Sequence, residues 1–493
     1  MAYIQGETRS QMTLNPMCLD DYIGEDNICR VIEIFVNVLD LESLGFKYAT
    51  PKETGRPPYN PACILKLYIY GYLHRIRSSR RLEAETQKNI EVMWLMEKLT
   101  PDDKTISNFR KDNAKTLKKV FRKFSLWCNE EDLYGRELLG VDGTKFRANA
   151  NRNSIYTQKG TKTRLSEVEK KIIEYMNELE KNDNNEISEA NFNAEKIACI
   201  LKNLNEKKET LQGWLEKIDE NGGKEISTVD PDTCLMHTNG DGRSLDACYN
   251  VQTVSDSKHK LIVDFNVSTS PDDKDALVEM SESAKEIMSV SEINTAADKG
   301  YYDGEDIAIC EEAGTRCFIP KTESTGRSAP NPKYSRKHFK YDRKNDSYIC
   351  PEGKRLIFKG IKKRSLKSHE TEEDRKYDRF YSNKEACLHC KHILQCTKNK
   401  RGREMFRNQN QDTLDAIDAR METDLARNIF QKRREIIEHQ FGTTKAVWGF
   451  RQFLCRGHEM ATAEMSLIFL AYNFRRIINI FKGNGKNLRE IMA

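Results

Sequence analysis

The sequence predicts an α/β protein with an all-helical, basic N-terminal domain and a small cysteine-rich insertion. Three observations predict this. Two apolar runs of strand length, at 138–142 and 293–298, each end in an acid. Apolar residues at helical spacing dominate the chain before the first run and after residue 411. Between them, the segment 321–410 is basic, rich in Tyr and Arg, and holds Cys350, Cys387, Cys390 and Cys396. A chain of 493 residues exceeds what a single core supports and divides into domains. The expected boundaries are 1–130 (helical and basic), 131–320 (first part of an α/β core, with a helical hairpin at about 160–226), 321–410 (basic and cysteine-rich) and 411–493 (closing helices).

Charge is segregated. The net charge is only +5, yet residues 56–126 carry 16 Lys and Arg against 7 Asp and Glu, and residues 321–405 carry 24 against 11. Residues 164–226 run the other way, 10 against 15, and mask the two basic stretches in the total. Two basic segments in one chain point to a polyanionic partner. The longest apolar run, 465–474, is about half of the roughly 20 residues that span a bilayer, so no membrane is expected. With no basic and apolar leader pattern at the N-terminus, the expected location is the cytoplasm, and the fourteen cysteines read as buried thiols or metal ligands rather than disulfides.

In order, a polar lead is followed by an amphipathic helix over 28–38 and a loop ending in Arg56-Pro57-Pro58. Pro61 suits a first helical turn, and Ile64, Leu65, Leu67, Tyr68, Ile69, Tyr72 and Leu73 supply the apolar face that follows. After Arg75, Arg77, Arg80 and Arg81 come a second helix with Val92, Met93, Leu95 and Met96 and a third from Thr105 through Arg110 and Lys111. That arrangement is compatible with a helix-turn-helix and equally with an ordinary helical bundle with a basic exterior. Beyond the first acid, Leu165, Val168, Ile172, Tyr175 and Leu179, then Ile197, Leu201, Leu204, Leu211 and Ile218, form two apolar stripes about a polar break at 182–185, a helical hairpin. The period then changes to two. Tyr249, Val251 and Thr253, and Leu261, Val263, Phe265 and Val267, alternate about a polar turn and read as paired strands. A helix over about 275–288, the second acid-tipped strand, a helix near 305–312 and a strand over 316–320 follow.

In Cys387-Leu388-His389-Cys390 the two-residue gap lets two thiolates grip one tetrahedral ion, and Cys396 with Cys350 can complete a four-sulfur site for structural Zn²⁺. The competing reading is unpaired thiols in a reducing compartment. His389 and His392 are the substitute ligands.

The acids carry the chemistry. Asp142 precedes Gly143, where a metal ion or a phosphate can approach a backbone without a side chain, and the strand is expected to leave this carboxylate at a sheet edge. Asp298 ends the second apolar run, and Glu438 lies on an amphipathic helix four residues after Arg434. Each alone reads as a surface or capping carboxylate. In this order, with Val141-Asp142-Gly143-Thr144-Lys145, Ala297-Asp298-Lys299-Gly300-Tyr301 and the Arg434-x3-Glu438-x6-Lys445 pattern, the chain resembles the DDE-type transposases of bacterial insertion sequences. One large branch of that family has Tyr where Gln431 stands here; residues 448–451 and 471–476 are also similar to its closing helices.

The resemblance implies an RNase H-like catalytic core split by insertions. It implies two Mg²⁺ or Mn²⁺ ions, with Asp142 bridging both and Asp298 and Glu438 each completing one side. It also implies a DNA transposase that binds terminal inverted repeats, cleaves and joins the ends to target DNA, nucleoid-associated when bound and a homodimer when assembled on DNA. Arg434 and Lys445 are expected to meet phosphates near the acids, and Arg80, Arg81, Arg110 and Lys111 to contact DNA from the N-terminal domain. The rival expectations are a structure-selective endonuclease of the same fold and an inactive, transposase-derived DNA-binding protein.

Overall fold

Polar caps decide where the N-terminal helices begin. Asn27 accepts from Cys29 N–H to start α1 (Ile28–Asn37), and Asp40 accepts from Ser43 N–H to start α2 (Leu41–Leu44). Asn60 accepts from Ala62 N–H ahead of Pro61 in α3 (Pro61–Leu73). α4 (Ser79–Lys88) precedes α5 (Ile90–Leu95), which Asn89 caps; Asp102 holds Thr105 N–H at 2.6 Å to open α6 (Asp103–Asp112), and α7 (Ala114–Glu130) follows. Every residue of α3 but Ala62 is buried, as expected of a helix apolar on all sides that serves as the hub of a bundle.

The computed structural model describes residues 18–51, 57–183, 188–220, 222–223, 225–238, 244–273, 275–321, 330–363 and 377–483, without the side chains of 178–195. The expected stripe residue Leu179 and the polar break at 182–185 therefore lie outside what is described. The chain divides into two units, one of residues 1–135, 143–272 and 436–493 and another of 136–142 and 273–435.

In the first unit α1–α7 are joined by the second half of β1 (Leu138–Arg147), β2 (Ile155–Tyr156), α8 (Gln158–Asp183), α9 (Ser188–Glu220), β3 (Ile226–Ser227), β4 (Cys234–His237), β5 (Leu245–Asp256) and β6 (Ile262–Ser268). The sheet order is β4-β5-β1, with β6 also antiparallel to β5. The predicted hairpin is α8 and α9, and the β2–β3 pair lies at its base. The core gathers Phe35, Phe124 and Phe474 in edge and tilted contacts, the last from the helix His458–Gly483.

In the second unit the first residues of β1 pair in parallel with β7 (Ile293–Ala296), and β7 with β8 (Thr315–Phe318). α10 (Ala276–Met288) and α11 (Gly304–Glu312) supply the crossovers. A separate antiparallel sheet follows: β9 (Lys340–Asp342), β10 (Ser347–Ile349), β11 (Arg355–Lys363), β12 (Tyr377–Ser382) and β13 (Glu404–Asn408), in the order β13-β12-β11-β10-β9. It carries α12 (Lys384–Leu388) and α13 (Ile393–Cys396) over its own core of Phe339, Tyr348, Leu356, Tyr381 and Met405. α14 (Gln411–Met421) and α15 (Asp424–Phe441) come next; α15 runs from this unit into the first, which ends in α16 (His458–Gly483).

Two sequence expectations need correction. The strand that reaches Asp142 does not stop there. Thr144 and Phe146 continue its alternation, β1 runs on to Arg147, and it lies between β5 and β7 rather than at a sheet edge. The second helix is expected to be the one with Val92, yet Arg80 and Arg81 already belong to a helix before it, α4, whose Leu82 and Thr86 are buried.

Candidate active site

Asp142, on β1, and Asp298, just past the end of β7, belong to the same unit. The β1–β7 register holds at Leu138↔Asn294, Leu139↔Thr295 and Gly140↔Ala296. Two residues beyond the last paired positions come the two acids, Asp142 still within β1 and Asp298 past the end of β7. Asp298 caps a short turn, its Oδ1 accepting the Gly300 N–H at 2.7 Å. A side chain at Gly300 would stand 2.9 Å from that same oxygen and 3.7 Å from Oδ2 of Asp273, so a third carboxylate is at hand.

The buried phenol of Tyr301 senses all of these charges. Burial raises its pKa well above the ordinary value, the negative charges of Asp273, Asp142 and Asp298 raise it further, and Arg433 opposes them. Arg433, on α15, places Nη2 3.3 Å from Oδ2 of Asp142. Its side chain is 10% exposed and its Nε is buried without a hydrogen-bond partner. Neither Asp273 nor Arg433 stands out in the sequence. A signal for Arg433 exists: it keeps phase with the buried Ala426, Ile429, Ile436, Ile437 and Gln440, whereas Arg434 falls on the exposed face.

Glu438 and Lys445 belong to the other unit. Glu438 is on the exposed side of α15, opposite Gln440, which donates to Thr253 Oγ1 and accepts from Ser255 Oγ at 2.7 Å each. Lys445, expected to meet phosphate, donates to Thr144 Oγ1 and to the Lys145 carbonyl oxygen at 2.6 Å each, over the ring of Phe146. Gly143 is required by packing. A Cβ there would stand 2.4 Å from Nε2 of Gln252, which is buried and tied to Asn250 Oδ1. Among the described residues no three His, Cys, Asp or Glu side chains form a group arranged to hold a metal ion.

The expected DNA-contacting residues separate. Arg80, Arg81 and Lys111 are exposed, Arg80 in a surface pair with Asp103 at 3.2 Å. Arg110 instead turns into the helical core, its guanidinium 5.7 Å from the Tyr68 ring centroid and its Nε buried without a hydrogen-bond partner. Burial and the surrounding groups bear on it in opposite senses: desolvation lowers its pKa, while Tyr72, Tyr68, Cys455 and Glu464 carry it above its already high value. No helix among the described residues is long and apolar enough to cross a membrane.

Two family comparisons match this chain. Residues 17–112 match the family described as Transposase domain (DUF772), and residues 349–478 match the Transposase DDE domain. Together the two matches support an insertion-sequence DDE transposase. No curated protein and no solved structure matches it. The first match covers α1 to α6 of the transposase, and the second covers Arg433, Arg434, Glu438 and Lys445 but stops short of Asp142 and Asp298. It also covers the four expected zinc ligands of the transposase. Cys350, Cys387, Cys390 and Cys396 line one cavity, together with Tyr334, Phe339 and Arg403.

Proposed function

We propose that this transposase binds the terminal inverted repeats of its element and carries out metal-dependent DNA cleavage and strand transfer with Asp142, Asp298 and Glu438 as its acids. The observation that supports this best is that the parallel β1–β7 pairing runs to Gly140↔Ala296, two residues before each acid, and that the charges of Asp142 and Asp298 both act on the buried Tyr301.

The donor set suits a hard divalent cation. It is made of carboxylate oxygens, and Gly300 keeps a side chain away from Asp298 and Asp273. When bound, a pair of Mg²⁺ or Mn²⁺ ions activates the attacking water or 3′-hydroxyl and stabilises the leaving oxygen at phosphorus. Asp142, Asp298 and Glu438 are the residues that hold them. Arg433 balances the charge of Asp142 and fixes its carboxylate from α15. Tyr301, kept protonated by burial and by the acids around it, adds no negative charge to this place. The helices of residues 1–130 read the DNA ends, with Arg80, Arg81 and Lys111 supplying phosphate contacts. Residues 131–320 and 411–493 form the RNase H-like core, interrupted by the helical hairpin and the cysteine-rich insert, and two copies assemble on DNA.

The test uses DNA carrying the ends that flank the coding region. Asp142→Asn, Asp298→Asn and Glu438→Gln should each lose Mg²⁺-dependent cleavage and the joining of a pre-cleaved end, while gel-shift binding in Ca²⁺ persists. Cleavage that survives in Asp142→Asn or Asp298→Asn overturns the reading. Survival in Glu438→Gln alone removes Glu438 from the set. Cleavage without joining in the unaltered protein reduces the activity to that of a nuclease.

A further inference from the structure

The cysteine-rich sheet has features that none of the DNA chemistry uses. Cys350 opens the turn Cys350-Pro351-Glu352-Gly353-Lys354, in which Gly353 takes φ +74° and donates to the Cys350 carbonyl oxygen at 2.9 Å. The turn brings the Lys354 N–H to 3.3 Å from the Cys350 sulfur. The second pair repeats the device. Cys390 N–H donates to the Cys387 carbonyl oxygen at 3.1 Å, closing the Cys-x2-Cys turn, and the backbone at Gly402 passes close to the Cys387 sulfur. Gly402, at φ +94°, makes that second contact possible: a Cβ there would stand 2.6 Å from Cys387 Cβ and 3.2 Å from its sulfur. Two glycine turns thus bring backbone close to two sulfurs.

Cys396 ends α13 on the same cavity, and Cys350 and Cys396 pack on the aromatic core of the sheet. Arg403 lines the cavity with its Nε buried and without a hydrogen-bond partner, over the Phe339 ring. A cation with an unused donor beside four neutral thiols is a poor arrangement. Beside an anionic cluster it is a good one.

We infer that Cys350, Cys387, Cys390 and Cys396 form a structural zinc site of the transposase, closed by inward movement of the sulfurs across the cavity they line. Loading breaks four S–H bonds and forms four Zn–S bonds, each about 2.3 Å. Four protons go to solvent, and the resulting double negative charge is balanced by the Arg403 guanidinium and by the Lys354 N–H. Four thiolates leave no open position, so the ion fastens the two turns and takes no part in DNA chemistry.

The experiment measures metal content of the full chain purified under reducing conditions without chelator, then replaces the metal with Co²⁺ after chelation. About one zinc per chain and a thiolate-to-Co²⁺ charge-transfer band are expected. Both should vanish in the Cys387→Ser/Cys390→Ser double variant and persist in Cys310→Ser, a buried thiol outside this cavity. Folded wild-type protein that holds no zinc and shows no thiolate band overturns the site, whatever the variants do. Zinc retained in Cys350→Ser and Cys396→Ser but lost in His389→Ala or His392→Ala overturns the four-sulfur assignment.

Discussion

Replacing Arg433 by Met tests whether its guanidinium holds acids together that would otherwise repel. At 3.3 Å and an effective dielectric constant of about 20, the Arg433–Asp142 attraction is about 5 kcal/mol before costs are counted. Desolvating a guanidinium that is nine-tenths buried offsets about half of that, because a charge taken from water costs several kcal/mol even after relaxation. The variant removes the attraction and the desolvation cost together, and Met fills most of the volume. What remains is the removal of a cation that opposes Asp142, Asp273 and Asp298 around Tyr301, a net of about 2–3 kcal/mol. For domains of roughly 150–250 residues, 1 kcal/mol shifts the melting midpoint by about 2–4 °C, so Arg433→Met should melt about 4–12 °C below wild type in EDTA. A divalent ion near 100 times its dissociation constant contributes about 2.7 kcal/mol, enough to restore most of the difference. Thermal melts of both proteins with EDTA, Mg²⁺ and Ca²⁺ make the measurement. Equal midpoints in EDTA, or a deficit that no divalent ion repairs, would refute the view that the guanidinium balances a cation-binding acid set.

Two further outcomes follow from single side chains. Neutralising Arg80, Arg81 and Lys111 together should weaken end binding and lower the salt slope by up to about 0.9 for each phosphate left without its cation, whereas Arg110→Ala should leave the slope unchanged and lower stability, because Arg110 faces Tyr68 and Tyr72; gel-shift titrations at several salt concentrations and a melt separate the two. His439 accepts from Arg476 Nη1 at Nε2 and meets the Tyr472 hydroxyl at Nδ1, 2.8 Å away, and burial followed by Arg476 holds its pKa below the ordinary 6.5. Since the unfolded chain takes up the proton first, stability is full above about pH 6.5 and falls as the pH drops through that value towards the lower folded one, so His439→Gln should flatten this part of the acid slope in melts between pH 7.5 and 5.5; a slope identical to wild type would remove His439 as its source.

Much of this transposase was legible in its residues. An apolar run that ends in an acid predicts both a strand and a carboxylate at its far end, and this located Asp142 on β1 and Asp298 just past β7. Two stripes at helical spacing announced α8 and α9, and alternation announced β5 and β6, because local periodicity follows directly from backbone geometry. The spacing of Cys387 and Cys390 likewise marked a place where thiols gather.

Other features depend on which distant segments meet. Nothing in the order of residues states that Leu138 pairs with Asn294, and this register runs to within two residues of each acid. Asp273 follows β6 by a few residues in an acid-rich loop, and only folding brings it beside Gly300 and Tyr301. The five strands from β9 to β13 stayed hidden under a basic composition, since β11 buries little more than Leu356 and shows no clear alternation. Arg433 and Arg434 are adjacent and chemically identical. A helix turns about 100° between them, and the packing of Ile436, Ile437 and Gln440 fixes that rotation, so the tertiary structure alone decided that Arg433 is the one that reaches Asp142.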